Sequence, residues 1–182
     1  MPVSVRRVVT GTDERGRSTV TDDGRAPRTF TLEHGGGFTE TVMWQVGVPL
    51  RDPSQGGDPP AGPLEVQPAP GTIAFFHDLL PPAAALAEVN REAMLREIEE
   101  KWPSVLTIVD PARGPGMHRT DTLDLLTVVS GEVWLVLEAG EVHLQAGDCV
   151  IQRGTWHAWQ NRSSAPCLLA GVMIRSGEQP AG

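Results

Sequence analysis

Short hydrophobic runs separated by turn residues occupy most of the chain and predict an all-β fold. Between residues 105 and 175 these runs recur at regular spacing, with glycine-containing turns at Gly131, Gly140 and Gly147. Short strands at such regular spacing are typical of a β-sandwich or a small β-barrel. Near the start, two β-branched runs flank the turn-forming residues 14–17, which predicts a hairpin across residues 3–22.

Two more strands are predicted before the regular region, at residues 39–48 and 71–80. The second of these strands ends at Pro81 and Pro82. Residues 49–71 are rich in proline and glycine, which indicates either a mobile loop or an irregular belt wrapped on the sheets.

One segment, residues 83–101, changes from the β pattern to the spacing of an amphipathic helix. Charged residues cover most of its surface, and the apolar residues that fall near one face are Leu86, Val89, Leu95 and Ile98. Pro103 ends the segment, because proline cannot continue a helix. The helix is expected either to pack against the outside of the sheets or to serve as a lid or a dimer contact.

The length of 182 residues suits one domain with a sizeable core better than two domains. The net charge of −8 and the pI near 5.1 argue against a nucleic-acid partner, because phosphate binding relies on clustered Lys and Arg. Residues 1–11 lack the apolar core of a signal peptide, and no apolar run is long enough to span a bilayer. We therefore expect a cytoplasmic protein without a membrane partner.

The two cysteines, Cys149 and Cys167, stand in apolar runs that read as strands. Buried free thiols are favoured over a disulfide, because the chain shows no export signal. Their spacing is also wider than that of a typical thiolate metal site.

Two stretches carry residues suited to chemistry, namely residues 116–124 (GMHRTDTLD) and residues 147–161 (GDCVIQRGTWHAWQN). Alternate residues of a strand project to one face, so His118, Thr120 and Asp124 are predicted to point into one cavity. His157 would then reach this cavity from a neighbouring strand. Two imidazoles and one carboxylate form a metal-binding set that leaves positions open for water, oxygen or substrate.

Both stretches resemble the motifs of the cupin superfamily, G-x5-H-x-H-x(3,4)-E-x6-G and G-x5-P-x-G-x2-H-x3-N, and the resemblance covers residues 105–175. In that family two His and one Glu of the first motif, with the His of the second, bind a divalent metal. The resemblance places His118, Asp124 and His157 on three of these four ligands. Thr120 stands where the remaining His is expected, and Gln152 stands where the proline is expected.

The chain is also similar to small single-domain cupins of bacterial and fungal secondary metabolism, at HRTDT, at VVxSGE, at GD-x4-RGTxHAWxN and at the N-terminal RRVVTG-x-D. This likeness implies a single cupin domain over residues 1–182, a jelly-roll type β-barrel. Residues 1–80 would add strands at its edge, residues 83–101 would be one inserted α-helix, and residues 105–175 would form the barrel. The family commonly forms dimers, so a homodimer is expected.

Two departures from the family's ligand set, at Thr120 and Asp124, leave open whether the protein binds a metal. A Thr hydroxyl is a poor ligand for transition metals, and Asp124 is one methylene shorter than Glu. One possibility is a three-ligand site made by His118, Asp124 and His157, which suits Fe(II) best and would accept Zn or Mn. The other is a metal-free barrel in which His118 bonds to Asp124 and His157 bonds to Gln152 or the backbone. In that case His118 and Asp124 would form a general base with its orienting group.

Aromatic residues flank His157 on both sides. Trp156 and Trp159 differ by three positions, so they are predicted to point to opposite faces of a strand. One of them would offer a flat apolar wall to a ring-shaped ligand, while packing in the core or an interface is the alternative for each. The residues predicted to contact substrate are Thr120, Gln152, Trp156, Trp159 and His77, the last with a surface position as its alternative.

The sequence thus favours a metal-dependent cupin enzyme that acts on a small apolar or aromatic metabolite. Dioxygenase, decarboxylase, dehydratase and isomerase or cyclase reactions all occur on this fold, and the fold does not choose among them. The predicted catalytic groups are His118, Asp124 and His157. A metal-free binding or sensor barrel without catalysis is the main alternative, and a structural protein with a filled barrel is another.

Overall fold

The computed structural model describes residues 6–25, 28–32, 38–42, 65–87 and 91–177, and strands make up most of these ranges. The strands are β1 (Arg6–Thr12), β2 (Ser18–Arg25), β3 (Arg28–Leu32), β4 (Phe38–Val42), β5 (Ile73–Leu80), β6 (Leu123–Ser130), β7 (Glu132–Leu137), β8 (Gly140–Gln145), β9 (Cys149–Arg153), β10 (His157–Gln160) and β11 (Cys167–Ile174). The helices are α1 (Ala83–Ala87) and α2 (Arg91–Lys101), followed by short 3-10 helices at Pro103–Thr107 and Pro111–Arg113.

The strands form a large sheet in the order β2-β1-β9-β6-β11-β5, a small sheet in the order β10-β7-β8, and the separate pair β3-β4. Strand β1 runs parallel to β9, while the other pairings are antiparallel. The predicted N-terminal hairpin is confirmed as β1 and β2. Its turn is held by the Asp13 carboxylate, which accepts hydrogen bonds from the backbone N–H groups of Arg15 and Arg17.

The hydrophobic core lies between the large and small sheets. Side chains alternate between buried and partly exposed along β6 and β7, as expected for strands that place one face on a core. The buried cluster draws on both sheets and comprises Val8, Leu126, Val128, Val133, Leu135, Leu137, Leu144, Val150, Cys167 and Leu169. The all-β, jelly-roll type of fold predicted from the sequence is therefore confirmed.

The inserted helical segment is observed as α1 and α2, while residues 88–90 between them lie outside the described residues, as do the side chains of Leu86 and Val89. Along α2, Met94 and Leu95 are 38% and 39% exposed, so this helix does not bury a continuous apolar face. The described part of α2 packs beside the 3-10 helix at Pro103–Thr107.

The prediction that β structure begins at residue 105 is wrong, because residues 103–107 form a 3-10 helix. Pro103 stands at its first turn, where proline fixes φ at a helical value and the missing N–H costs nothing. Strand 71–80 is observed as β5, and strand 39–48 is observed as β4 up to Val42. The rest of the predicted strand and most of the Pro/Gly-rich belt lie outside the described residues.

Cys149 and Cys167 are both buried and unpaired, which confirms the prediction of free thiols. Within the described ranges, no helix combines the length and the apolar character needed to cross a bilayer.

Candidate functional site

His118 and His157 lie side by side at the open edge of the small sheet. The two residues exchange both backbone hydrogen bonds, from His118 N to His157 O at 2.9 Å and from His157 N to His118 O at 3.0 Å. Their imidazole ring centroids are 4.3 Å apart, with the ring planes inclined by 52°. The backbone pairing therefore holds both rings in one place, as the motif spacing predicted.

Each ring is oriented by a backbone carbonyl two residues earlier in the chain. Nδ1 of His118 lies 2.9 Å from the Gly116 oxygen, and Nδ1 of His157 lies 2.8 Å from the Thr155 oxygen. A carbonyl oxygen can only accept, so each Nδ1 carries the proton and each Nε2 keeps a free lone pair. Histidines that bind metals or act as bases are commonly oriented in this way.

Burial keeps both imidazoles neutral. It lowers the pKa of His118, and it lowers the pKa of His157 to about 3 with a further contribution from the neighbouring His118. The Gly116 carbonyl and the negative charge of Asp78 on β5 raise the pKa of His118, against the effect of burial. Neutral rings with free Nε2 atoms are the form needed for ligation or proton abstraction.

Asp124 does not join the histidine pair, which corrects the prediction that residues 118–124 form one strand. The chain leaves the small sheet after His118 and enters the large sheet at β6, where Asp124 lies opposite Gln152. Asp124 is 3% exposed, and its Oδ1 atom has no hydrogen-bond partner. Burial raises the pKa of this carboxyl to about 6, opposed by a hydrogen bond from Thr122.

The pairing of His118 with Asp124, expected for a metal-free barrel, is therefore absent, and the Gly116 carbonyl orients His118 instead. Thr120 is 3% exposed, and its hydroxyl oxygen lies 2.7 Å from the Thr122 hydroxyl oxygen. Together, Thr120, Thr122 and Asp124 form a buried polar row.

Gln152 lies behind His157 and is fully buried. Its amide nitrogen donates to the Thr155 carbonyl at 3.0 Å and to the Thr155 hydroxyl at 2.7 Å. The same nitrogen lies 3.0 Å from Nδ1 of His157. Of the two contacts expected for His157 in a metal-free barrel, the bond to the backbone is present, at the Thr155 carbonyl. With the proton on Nδ1, Gln152 connects to His157 through Thr155.

The two tryptophans, Trp156 just before β10 and Trp159 within it, point to opposite sides. Trp159 meets His157 edge to face, with ring centroids 5.7 Å apart, and packs against the hydrophobic core. Trp156 points the other way, where the guanidinium carbons of Arg113 and Arg119 lie 4.5 and 5.4 Å from its ring centroid. His77 belongs to β5 and pairs with Ala170 through the backbone, but its side chain is outside those described.

Of the three residues predicted as metal ligands, His118 and His157 lie next to each other in the structure. His118 and His157 fit a divalent metal, because both are neutral and both have a free Nε2. Across the part of the chain that the structure describes, no three His, Cys, Asp or Glu side chains are grouped closely enough to hold a metal ion. Asp124 is therefore not part of a ligand set in this arrangement.

Sequence reasoning missed the groups that orient the histidines. The carbonyls of Gly116 and Thr155 are backbone atoms, which residue types do not reveal. Thr10 contacts Gln152 from β1 at a separation of 142 residues, and neither the predicted hairpin nor the RRVVTG likeness linked the two residues. Asp78 follows His77 in a run from which only the histidine was selected.

Comparison with known proteins places the site in a recognised domain. Residues 105–174 match the family model described as a cupin domain. The chain is 51% identical over 63 residues to "Phomopsin biosynthesis cluster protein C'" of Diaporthe leptostromiformis, covering 33% of each chain. It is 44% identical over 63 residues to "Oryzines biosynthesis cluster protein J" of Aspergillus oryzae, covering 33% of this chain and 35% of the relative.

A third relative is the "Cupin-domain-containing oxidoreductase srdD" of Neurospora crassa, which is 31% identical over 98 residues. That match covers 47% of this chain and 49% of the relative. The chain thus spans between a third and a half of the length of these curated relatives.

Proposed function

This chain is a member of the cupin superfamily through residues 105–174, and on that premise we propose that it is an enzyme acting on a small molecule at His118 and His157. The observation that carries the proposal is a pair of neutral imidazoles, each bonded to a backbone carbonyl through Nδ1. This bonding leaves the lone pair of each Nε2 available for a metal or a proton. Two relatives are named for biosynthesis clusters, which supports a secondary metabolite as the substrate.

The surroundings of His157 support an apolar or aromatic substrate. Trp159 stands edge-on to the His157 ring and is continuous with the hydrophobic core. An aromatic wall beside a reactive centre favours ligands with a flat apolar part, because such ligands gain both burial and ring contact.

We propose that His118 and His157 hold a divalent metal through Nε2, with Fe(II) favoured and Zn or Mn acceptable. Such a metal, when bound, would polarise a substrate oxygen. The carbonyls of Gly116 and Thr155 keep both rings turned with Nε2 outward, and burial keeps them unprotonated. Asp124 is not grouped with the pair among the described side chains, so a metal held by the two histidines alone would leave more positions open to substrate than a three-ligand site.

A second candidate function is a metal-free site, either catalytic or for ligand binding alone, and it is favoured by the separation of Asp124 from the histidines. In a catalytic version, Nε2 of His118 would accept a proton from the substrate while the Gly116 carbonyl orients the ring. His118 suits this role better than His157, because the negative charge of Asp78 favours its protonated form. In a sensor, the same two histidines would contact a bound ligand without reaction.

Metal analysis distinguishes the two candidates. The protein would be purified without chelator, alongside His118→Ala, His157→Ala and the control His143→Ala, whose ring stacks on Trp134 in the small sheet. The metal site predicts about one ion per chain in the wild type and the control, and a loss in both site variants. A wild-type content near zero, without recovery on adding Fe(II), Zn or Mn, would reject the metal and retain the second candidate.

A cytoplasmic homodimer remains our proposal for the state of the protein. The buried free thiols of Cys149 and Cys167 suit a reducing compartment. Sedimentation velocity over a range of protein concentrations would test the dimer, and a single species with the mass of one chain would contradict it.

A further inference from the structure

A buried network connects the N-terminal hairpin to His157. We propose that Gln152, held by Thr10, is a positioning residue for His157 and not a substrate contact. This inference rests on the proposed function only for the importance of His157. The network itself is described by contacts that involve neither metal nor substrate.

Gln152 acts on His157 through Thr155. Its amide nitrogen donates to the Thr155 carbonyl at 3.0 Å, and the same carbonyl accepts from Nδ1 of His157 at 2.8 Å. A second bond of 2.7 Å joins the amide nitrogen to the Thr155 hydroxyl. The position of the Thr155 carbonyl, and with it the tautomer of His157, thus depends on the Gln152 amide.

Thr10 fixes the other end of the Gln152 side chain. Its hydroxyl lies 3.3 Å from the amide oxygen of Gln152 and 3.2 Å from the Ile151 carbonyl, between which its single proton is shared. The hydroxyl oxygen of Thr10 accepts from the backbone N–H of Arg153 at 3.1 Å, and the Thr155 hydroxyl is 3.4 Å away. One threonine therefore contacts backbone and side chains on both sides of Gln152.

Burial makes these bonds hard to replace. Thr10 and Gln152 are 0% exposed, Thr155 is 4% exposed and His157 is 3% exposed, so solvent cannot supply a missing donor or acceptor. Full burial also keeps Gln152 away from a substrate. Its polar atoms already bond to Thr10 and Thr155, which leaves positioning as the role that fits the contacts.

The network extends the site beyond the cupin-matched residues. Strand β1 runs parallel to β9, with Val9 paired to Ile151, and this register brings Thr10 beside Gln152. Thr10 is part of the RRVVTG run that the sequence singled out. The run thus has a function in this fold, which is to supply the hydroxyl that supports the histidine side of the site.

The tautomer of His157 tests the proposal directly. Nitrogen-15 NMR of the imidazole at neutral pH, without metal or substrate, distinguishes a proton on Nδ1 from a proton on Nε2. We expect the Nδ1 form in the wild type, and a shift toward the Nε2 form or exchange between the two in Gln152→Leu and Thr10→Val. Thr10→Ser keeps the hydroxyl and should restore the wild-type spectrum.

Ser18→Ala is the matched control, because Ser18 is a buried hydroxyl on the same sheet that bonds to Glu138 N and not to the network. It should lower the melting temperature as Thr10→Val does, yet leave the His157 tautomer unchanged. A wild-type tautomer in folded Gln152→Leu would overturn the proposal. If that variant does not fold, an identical spectrum in Thr10→Val and Thr10→Ser would overturn it instead. The tautomer measurement uses metal-free protein, so it tests the role of Gln152 even if metal analysis rejects the proposed metal site.

Discussion

Asp124 and Gln152 face each other across β6 and β9, but only Gln152 has all its polar side-chain atoms hydrogen-bonded. Both side chains are almost completely buried. The neutral amide is bonded at both ends, whereas Oδ1 of Asp124 has no partner. Burying a carboxylate with one oxygen left unsatisfied is costly, so this position favours a carboxyl that carries a proton.

The first prediction concerns Asp124 and pH. Its pKa is raised from 3.8 to about 6 by burial, so the folded chain binds this proton more tightly than the unfolded chain. The resulting stability is fully present below pH 3.8 and is lost as the pH rises through 6. Asp124→Asn should remove this dependence and raise the free energy of unfolding at pH 8 by up to about 3 kcal/mol.

Denaturant unfolding of both proteins between pH 4 and pH 8 measures this effect. Asp121→Asn is the control, because its carboxylate is 75% exposed and its replacement should change little. Parallel stability curves for the wild type and Asp124→Asn would contradict the prediction.

The second prediction concerns Thr120, which stands where the cupin motif carries another histidine. Thr120→His should tighten the binding of Co(II) or Zn(II) by about tenfold or more, because it adds an imidazole to the His118 and His157 pair. Isothermal titration calorimetry would measure the affinity. Thr122→His, two residues further along, should give no gain. An unchanged affinity in Thr120→His would count against the placement of residue 120 beside the pair.

The third prediction concerns the turn before β7. Gly131 has a φ of 78°, and a Cβ there would lie 2.6 Å from the Pro166 oxygen and 2.9 Å from the Cys167 Cα. Gly131→Ala should therefore lower the free energy of unfolding by about 3 kcal/mol, since backbone atoms must shift. Gly147→Ala isolates the φ effect, because Gly147 has a φ of 94° with no atom within 4 Å of its Cβ position. Gly147→Ala should lower the free energy of unfolding by about 1 kcal/mol. Thermal or denaturant unfolding would measure both variants. Equal decreases in the free energy of unfolding for Gly131→Ala and Gly147→Ala would contradict the predicted clash at residue 131.

The fourth prediction separates the two tryptophans. Trp159→Ala should lower the free energy of unfolding by about 3 kcal/mol, because the ring packs against the core and the His157 edge. Trp156→Ala removes a ring that contacts Arg113 and Arg119 on the outer side, so it should lose only about 1 kcal/mol. Urea unfolding followed by far-ultraviolet circular dichroism measures both values. A larger loss for Trp156→Ala would reverse the assignment of inner and outer faces.

The sequence was informative where local signals decide the structure. Turn residues and β-branched runs predicted the β1–β2 hairpin and β5, and the motif spacing brought His118 beside His157. Turn chemistry and the period of two act within one segment, so they can be recognised without knowing the rest of the fold.

The position of Asp124 could not be predicted in the same way. A period of two indicates which face a side chain takes, but it assumes that one strand continues. Between His118 and Asp124 the chain passes from the small sheet to the large one, so the two side chains belong to different layers. The Thr10 contact was hidden for a related reason, because a parallel pairing across most of the chain leaves no local signal.

The parallel pairing of β1 with β9 also bears on the order in which the protein folds. Thr10 and Gln152 are 142 residues apart, so their contact closes one of the longest loops in the fold. Closing a long loop costs conformational entropy before its contacts can form, whereas hairpins such as β7–β8 close locally. The hydrogen bonds from Thr10 and Gln152 that position His157 are therefore expected to form late in folding. Early folding species would then contain sheets but no ordered histidine pair.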